Sequence, residues 1–220
     1  MLYRFMKQFS DYYMFHDVID CLTASLEAKD KYTSGHSSRV GDMAYDICKS
    51  LKLSVAERDC IHIAAHLHDI GKIGIPDYIL NKPDRLTPSE WSQIREHPEI
   101  GYNILSKSRK LEEIAHIVLC HHERWDGKGY PQGLKGKDIP LGARIIAVCD
   151  SIDAMVSDRA YRKAFSWEQC KEEILVNRGH QFDAEVVEAI TDSLWGRWQV
   201  QYYKGEERET DYCQRMIRST

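Results

Sequence analysis

The chain has 220 residues, of which 43% are hydrophobic and 29% charged, and its formal net charge is −4. That length buries one domain's core without disulfide or metal staples, and the acidic balance argues against a nucleic-acid polymer as partner, since such binders carry a basic patch. No apolar run reaches the ~18 residues of a membrane-spanning helix and the N-terminus lacks a signal-peptide core, so no membrane insertion and a cytoplasmic location are expected.

The predicted elements are nearly all helices. Apolar residues recur every three or four positions at 18–28, 40–53, 55–67, 111–120, 141–156, 167–176 and 184–195, which is the period of an amphipathic helix. No period-two strand, internal repeat or low-complexity segment interrupts them, so the fold class is all-α. Ser54-Val-Ala-Glu57 and Thr87-Pro-Ser-Glu90 read as capping boxes, Ser166 and Asp183 as further N-caps, and Gly71, Gly74 and Gly179 as stops. Residues 1–16 read as a helical extension or linker, 17–198 as the main domain, and 199–220 as a charged tail. Between two predicted helices, Glu123 to Pro140 holds four glycines and two prolines. Helix connections usually take about two to eight residues, and longer ones are often functional.

The seven cysteines include no CxxC pair. They read as reduced thiols among core residues, because the close spacing of a cysteine zinc site is absent.

The chemistry lies in the ten histidines. His16-Asp17 has no turn after it and reads as a chance pair. His68-Asp69 is followed by Ile70-Gly71-Lys72, where a helix is expected to end on glycine and leave the lysine projecting beyond it. His121-His122 closes an apolar helix just before the glycine-rich loop, and His97 is expected at the end of the helix begun at Thr87. Asp150 sits inside an apolar run, where a carboxylate is costly to bury unless it is paired or metal-bound. Asp153, one turn on, is either a partner that supports a ligand or a solvated neighbour. His62 and His66 share a helix face and read as hydrogen-bonded core residues. His116 and His180 carry no site. Imidazole and carboxylate donors without cysteine suit iron, manganese, zinc or nickel. Two ions roughly 3.5–4 Å apart can activate water and stabilise in-line displacement at phosphorus, and Lys72 beside them would neutralise phosphate oxygens. The residues alone therefore point to a metal-dependent phosphohydrolase, with its substrate open.

In order, His36, His68-Asp69-Ile-Gly-Lys72, His97-Pro-Glu-Ile-Gly101, His121-His122-Glu-Arg-Trp-Asp-Gly-Lys-Gly129-Tyr130-Pro131 and Asp150 resemble the HD-GYP family, a branch of the HD-domain metallophosphohydrolases. Asn81-Lys82-Pro83, Leu141-Gly-Ala-Arg144-Ile and Asp158-Arg159-Ala-Tyr-Arg162 fit the same pattern, and the resemblance covers roughly 17–195. It implies an HD-domain-like helical bundle with a long GYP loop between two helices, and hydrolysis of cyclic di-GMP to linear pGpG. It also implies that His36, His68, Asp69 and Asp150 hold one divalent ion, and that Asp69 bridges to a second held by His97, His121 and His122. Iron is the expected metal, manganese the next, with zinc or nickel compatible. Lys72 falls where the family contacts the scissile phosphate, Tyr130 where its loop tyrosine meets substrate, and Arg159 and Arg162 where phosphate is held.

One position departs from the pattern. Some members carry a glutamate four residues before the first histidine, which helps to hold a third metal; here it is Tyr32, so two ions are expected. Family members often follow a sensory domain, so an upstream sensory domain, a regulatory protein or a second copy of the chain are the candidate partners beside the cyclic dinucleotide. The alternatives are a phosphohydrolase for another cyclic dinucleotide such as cyclic GMP-AMP, a metal-bound receptor or interaction module with weak catalysis, and an oxygenase on the same scaffold. Lys72 and the GYP loop disfavour the last.

Overall fold

The apolar periodicity resolves into helices α1 (Leu2–Lys29), α2 (His36–Ser50), α3 (Val55–Leu67), α4 (Asp77–Leu80), α5 (Pro88–Ile94), α6 (His97–Leu105), α7 (Glu112–Cys120), α8 (Leu141–Val156), α9 (Trp167–Val176) and α10 (Ala184–Glu188). A further helix, α11, covers 192–203. The computed structural model describes residues 2–30, 35–158 and 163–203, with side chains from Met14 onward except Phe15. Tyr32, Arg159 and Arg162 lie outside the described residues, as does Cys213. Among the described residues there is no strand, only an isolated bridge between Arg178 and Phe182. No helix among them is long and apolar enough to cross a membrane.

Helix starts follow their signals. Ser54, Thr87 and Ser166 each accept the backbone N–H three residues on, and Glu57, Glu90 and Gln169 reach back to the cap's own N–H. Each reciprocal pair satisfies two donors that a first turn leaves unpaired. Asp183 caps α10 through the N–H of Glu185 and also pairs with Arg144, which ties α10 to α8.

The core forms where α2 packs on α3 and α8, α3 on α7, and α6 on α7. Val40, Ala44 and Ile47 of α2, Ala64 of α3, Val118 of α7, and Ile145, Ile146, Cys149 and Ile152 of α8 are fully buried there. Each large aliphatic side chain so buried contributes about 1.5–3 kcal/mol. Gly142 permits the approach of α8, because a Cβ there would lie 2.8 Å from Ile117 Cδ1 and 3.0 Å from Ile61 Cγ1. The six described cysteines are free thiols. Burial pushes Cys48 up to about 12 and Cys120 up to about 11, so these two stay protonated and act as small apolar groups.

Three sequence expectations need correction. Gly71 and Gly74 do not stop a helix through a left-handed residue, since neither has a positive φ. The chain leaves α3 at Leu67 and tightens into a 3-10 turn, Ile70–Gly74. A side chain on Gly71 would lie 1.8 Å from the His97 carbonyl oxygen, so this glycine is needed for a close backbone approach. His97 does not end the helix begun at Thr87. That helix closes at Ile94, and His97 starts α6 with Pro98 in its first turn, where proline's missing N–H costs nothing. The segment 184–195 is two helices with a break at 189–191.

Candidate metal centre

Five segments converge. α2 supplies His36 from its first position, the end of α3 and the following turn supply His68, Asp69 and Lys72, and α6 supplies His97. The end of α7 supplies His121 and His122, and α8 supplies Asp150 and Asp153. His36, His68, Asp69, His97, His121 and Asp153 are buried where the helices meet, and Lys72, His122 and Asp150 are half-buried beside them. His68, His97 and His121 are among the most buried side chains of the protein.

Two clusters result, His36–His68–Asp69 and His97–His121–His122, each with donor atoms close enough to hold one metal ion. Asp69 lies between them. Its Oδ2 is 3.5 Å from His68 Nε2 and 3.9 Å from His36 Nε2, and its Oδ1 is 3.3 Å from His97 Nε2. Asp150 Oδ1 is 3.4 Å from His36 Nε2.

The ring nitrogens themselves favour a cation. His68 Nδ1 donates to the Ala65 carbonyl at 2.6 Å, His97 Nδ1 to Ile94 at 2.7 Å, and His121 Nδ1 to Val118 at 2.6 Å. His36 Nδ1 donates to Asp153 Oδ2 at 2.7 Å. In the neutral form of each ring these contacts take up the Nδ1 proton and leave Nε2 with a lone pair. Burial, with neighbouring imidazoles, holds His97 and His121 below the ordinary imidazole value and takes His122 down to about 3, so these rings are neutral. Yet Nε2 of His97 faces Nε2 of His121 at 3.2 Å, and the same atoms of His36 and His68 are also 3.2 Å apart. A proton on one ring of each pair gives an N–H···N hydrogen bond across such a gap, and an ion bound by both nitrogens fits it as well. Nitrogens bound to one ion at ~2.0–2.1 Å have about this separation. The donor set fits a pair of divalent ions of the imidazole-and-carboxylate class.

Lys72 Nζ is 2.7 Å from Asp69 Oδ2 and 3.1 Å from Asp30 Oδ2, at the end of α1. Burial works against its charge, but the two carboxylates outweigh it and raise the ammonium's affinity for its proton. Burial would likewise raise Asp69, but Lys72, His68, His97 and His36 hold it well below the usual carboxylate range. The glycine-rich loop folds back on the end of α7. Glu123 Oε1 accepts the N–H groups of Gln132 and Gly133, and Tyr130 N–H reaches the His122 carbonyl. A side chain on Gly129 would lie within 2.6 Å of backbone atoms of His122, Glu123 and Arg124. The loop so anchored stacks the Tyr130 ring on His122, with centroids 4.8 Å apart at 27°. Arg95, at the end of α5, lies over the same Tyr130 ring at 5.1 Å.

Residues 20–186 match the family model described as HD domain. The chain belongs to the HD-domain family, in its HD-GYP branch. A cyclic di-GMP phosphodiesterase of Thermotoga maritima is 44% identical over 189 residues, 85% of this chain and 51% of that protein. A 3′3′-cGAMP-specific phosphodiesterase of Vibrio cholerae is 39% identical over 173 residues, 78% of this chain and 33% of that protein. The chain thus spans between a third and about half of these relatives' length. Among solved structures, the HDG"Y"P protein Bd1817 of Bdellovibrio bacteriovorus superposes with a TM-score of 0.60 at 18% identity, covering 80% of this chain and 60% of that one. That likeness concerns the fold.

In this HD-GYP chain, the seven predicted His and Asp ligands are all brought to one centre, with Lys72 and Tyr130 beside them. The remaining histidines stay apart from it. His62 Nδ1 meets the Gly41 carbonyl and its ring packs on His16 and His66, while His116 is exposed beside Glu112. Sequence reasoning left Asp153 undecided and missed Arg39, Asp30, Glu123 and Arg95. Arg39 had a readable signal, because three residues after His36 it shares that ligand's helix face. The partnership of Asp30 with Lys72 spans 42 residues and has no local signature.

Proposed function

We propose that this chain is a metal-dependent phosphodiesterase that opens cyclic di-GMP to linear pGpG. The observation that carries the reading is Asp69 between two histidine clusters with Lys72 Nζ 2.7 Å from its carboxylate. Three features thus meet at one point: donors for two ions, a carboxylate able to bridge them, and a fixed cation for a phosphate. The named activity of the Thermotoga maritima relative supports the substrate.

His36, His68, Asp69 and Asp150 would hold one ion, and Asp69, His97, His121 and His122 the other, with iron or manganese the metals that suit these donors. When bound, such a pair supplies a water nucleophile and positive charge for displacement at phosphorus. Lys72 meets a non-bridging oxygen of the scissile phosphate and offsets the charge that builds there. Hydrolysis forms one P–O bond to the water oxygen and breaks the bond to the ribose 3′-oxygen. The 3′-oxygen takes up a proton, and a 5′-phosphate remains. Tyr130 offers a flat ring beside the phosphate, and Arg159 and Arg162 belong to the same proposal as phosphate contacts. With tyrosine rather than glutamate at position 32, that position supplies no carboxylate for a third ion that would hold the product's terminal phosphate. Accumulation of pGpG is therefore the expected end of the reaction.

The test is anaerobic purification, loading with Fe(II) or Mn(II), and a chromatographic time course on cyclic di-GMP, 3′3′-cyclic GMP-AMP and cyclic di-AMP. Conversion of cyclic di-GMP to pGpG with slow or absent GMP is expected. Loaded protein that turns over none of the three would overturn the reading. A clear preference for cyclic GMP-AMP would establish the second reading, which the 39% identity to the Vibrio cholerae protein favours.

A further inference from the structure

Arg95 is an exposed guanidinium whose backbone is fixed beside the second histidine cluster. Its N–H donates to the Trp91 carbonyl. The preceding residue, Ile94, gives its carbonyl to His97 Nδ1 at 2.7 Å, and His97 itself is two positions on. The guanidinium lies over Tyr130 at 5.1 Å, and Tyr130 is stacked on His122. A cationic plane is thus laid out one ring beyond the ligands of the second cluster.

Among the described residues, three other cations of this region are committed to carboxylates. Lys72 is held by Asp69 and Asp30, Arg39 by Asp153, and Arg124 by Asp126. Among the described residues, no carboxylate pairs with Arg95, whose contact is the face of Tyr130. A cyclic dinucleotide carries two phosphate monoanions. If one sits at Asp69 and Lys72, the other is tied to it through the dinucleotide ring and lies nearby, where a charge-assisted contact to a guanidinium would hold it. A guanidinium already spread on an aromatic face loses little side-chain freedom when it forms a two-pronged contact with phosphate oxygens.

We propose that Arg95 is a substrate-binding residue that takes the second, non-reacting phosphate of the cyclic dinucleotide, with Tyr130 as its platform. This rests on the cyclic-dinucleotide reading above. It assigns Arg95 to recognition of the ring and leaves the bond-breaking step to the groups around Asp69.

The experiment compares two phosphodiesters on the metal-loaded full chain. Cyclic di-GMP has two phosphates, and bis(p-nitrophenyl) phosphate has one. Arg95→Ala is expected to raise KM for cyclic di-GMP tenfold or more with kcat within about twofold, and to leave kcat/KM for bis(p-nitrophenyl) phosphate within about twofold. Arg95→Lys, which keeps a point charge and loses the planar fork, is expected to recover part of the loss. An equal fall for both substrates would overturn the proposal, since Arg95 would then act only by holding Tyr130 and His122 in place. No change for either would return it to a solvated surface residue. Wild-type protein that cleaves bis(p-nitrophenyl) phosphate but no cyclic dinucleotide would remove the parent reading and this one with it. Wild-type turnover of cyclic di-GMP that Arg95→Ala leaves intact would remove this one alone.

Discussion

Asp153 holds His36 by its far ring nitrogen, with Oδ2 2.7 Å from Nδ1, and its other oxygen takes the Arg39 Nε proton at 2.6 Å. The carboxylate is buried, and the hydrogen bonds it accepts from His36 and Arg39 take it down to about 2 against the effect of burial. It fixes the tautomer that leaves His36 Nε2 free to bind and makes that nitrogen more basic. Asp153→Asn keeps the volume and weakens this support. Titration of metal-free protein with Mn(II) in a calorimeter should show a loss of roughly 10–100-fold in affinity. Unchanged affinity would mean that His36 is oriented by packing alone.

On the proposed two-ion reading, the two clusters set the metal content. Elemental analysis of protein from iron- or manganese-supplemented cells should give about two ions per chain. Asp69→Ala removes the carboxylate between the clusters and should lose both ions. His97→Ala should retain one and lose mainly the other. Activity in protein that repeatedly binds no metal would contradict the arrangement.

In the proposed reaction Lys72 acts on phosphate without being a metal ligand. Lys72→Ala should therefore keep the metal content of wild type while turnover falls on the order of 10²–10³-fold, the usual cost of losing a charge contact made in the transition state. Loss of metal along with rate would show instead that the ammonium's main service is to hold Asp69.

Away from the centre, Glu90 accepts from Lys82 Nζ at 2.7 Å and from the Thr87 N–H at 2.7 Å. These contacts, Lys82 first and the capping box with it, bring its carboxyl down to about 2 from an ordinary 4.5. A depressed acid stabilises the fold in full above its unfolded value and loses that contribution as pH falls toward the folded one. The melting temperature of Glu90→Gln should therefore lie below wild type at pH 7, and the gap should close between about pH 4.5 and 2. A gap that persists unchanged at the acid end would assign the effect to shape rather than charge.

What could be read from the chain before folding was the local part of this architecture. Capping residues act within three positions, so Ser54, Thr87, Ser166 and Asp183 announced their helices. Among the expected ligands, His68-Asp69, His121-His122 and Asp150 stood out because polar donors interrupted or closed apolar runs and His97 by its place before Pro98, whereas His36 was marked only by the HD-GYP resemblance. The structure changed what depends on distant packing. Gly71 looked like a helix stop, since a glycine after an apolar run usually is one; its reason is the carbonyl of His97, 26 residues away. His97 looked like a helix end because the break after Ile94 has neither glycine nor proline, only a change of direction as α6 turns toward the centre. Asp30 and Arg95 offer no pattern, since one pairs across α1 and the turn and the other depends on where a loop tyrosine comes to rest.

The contact between Gly71 and α6 has a mechanical meaning. The turn that carries Lys72 and the helix that begins with His97 touch backbone to backbone, with the position of a Gly71 Cβ only 2.5 Å from the Gly101 nitrogen. No side chain serves as a spacer there, so no rotamer can lengthen or shorten that joint. The distance between the two histidine clusters is thus a gauge cut into the main chain. Drift in surrounding residues can alter the walls of the cleft and what it admits, while the interval between its two halves stays the same.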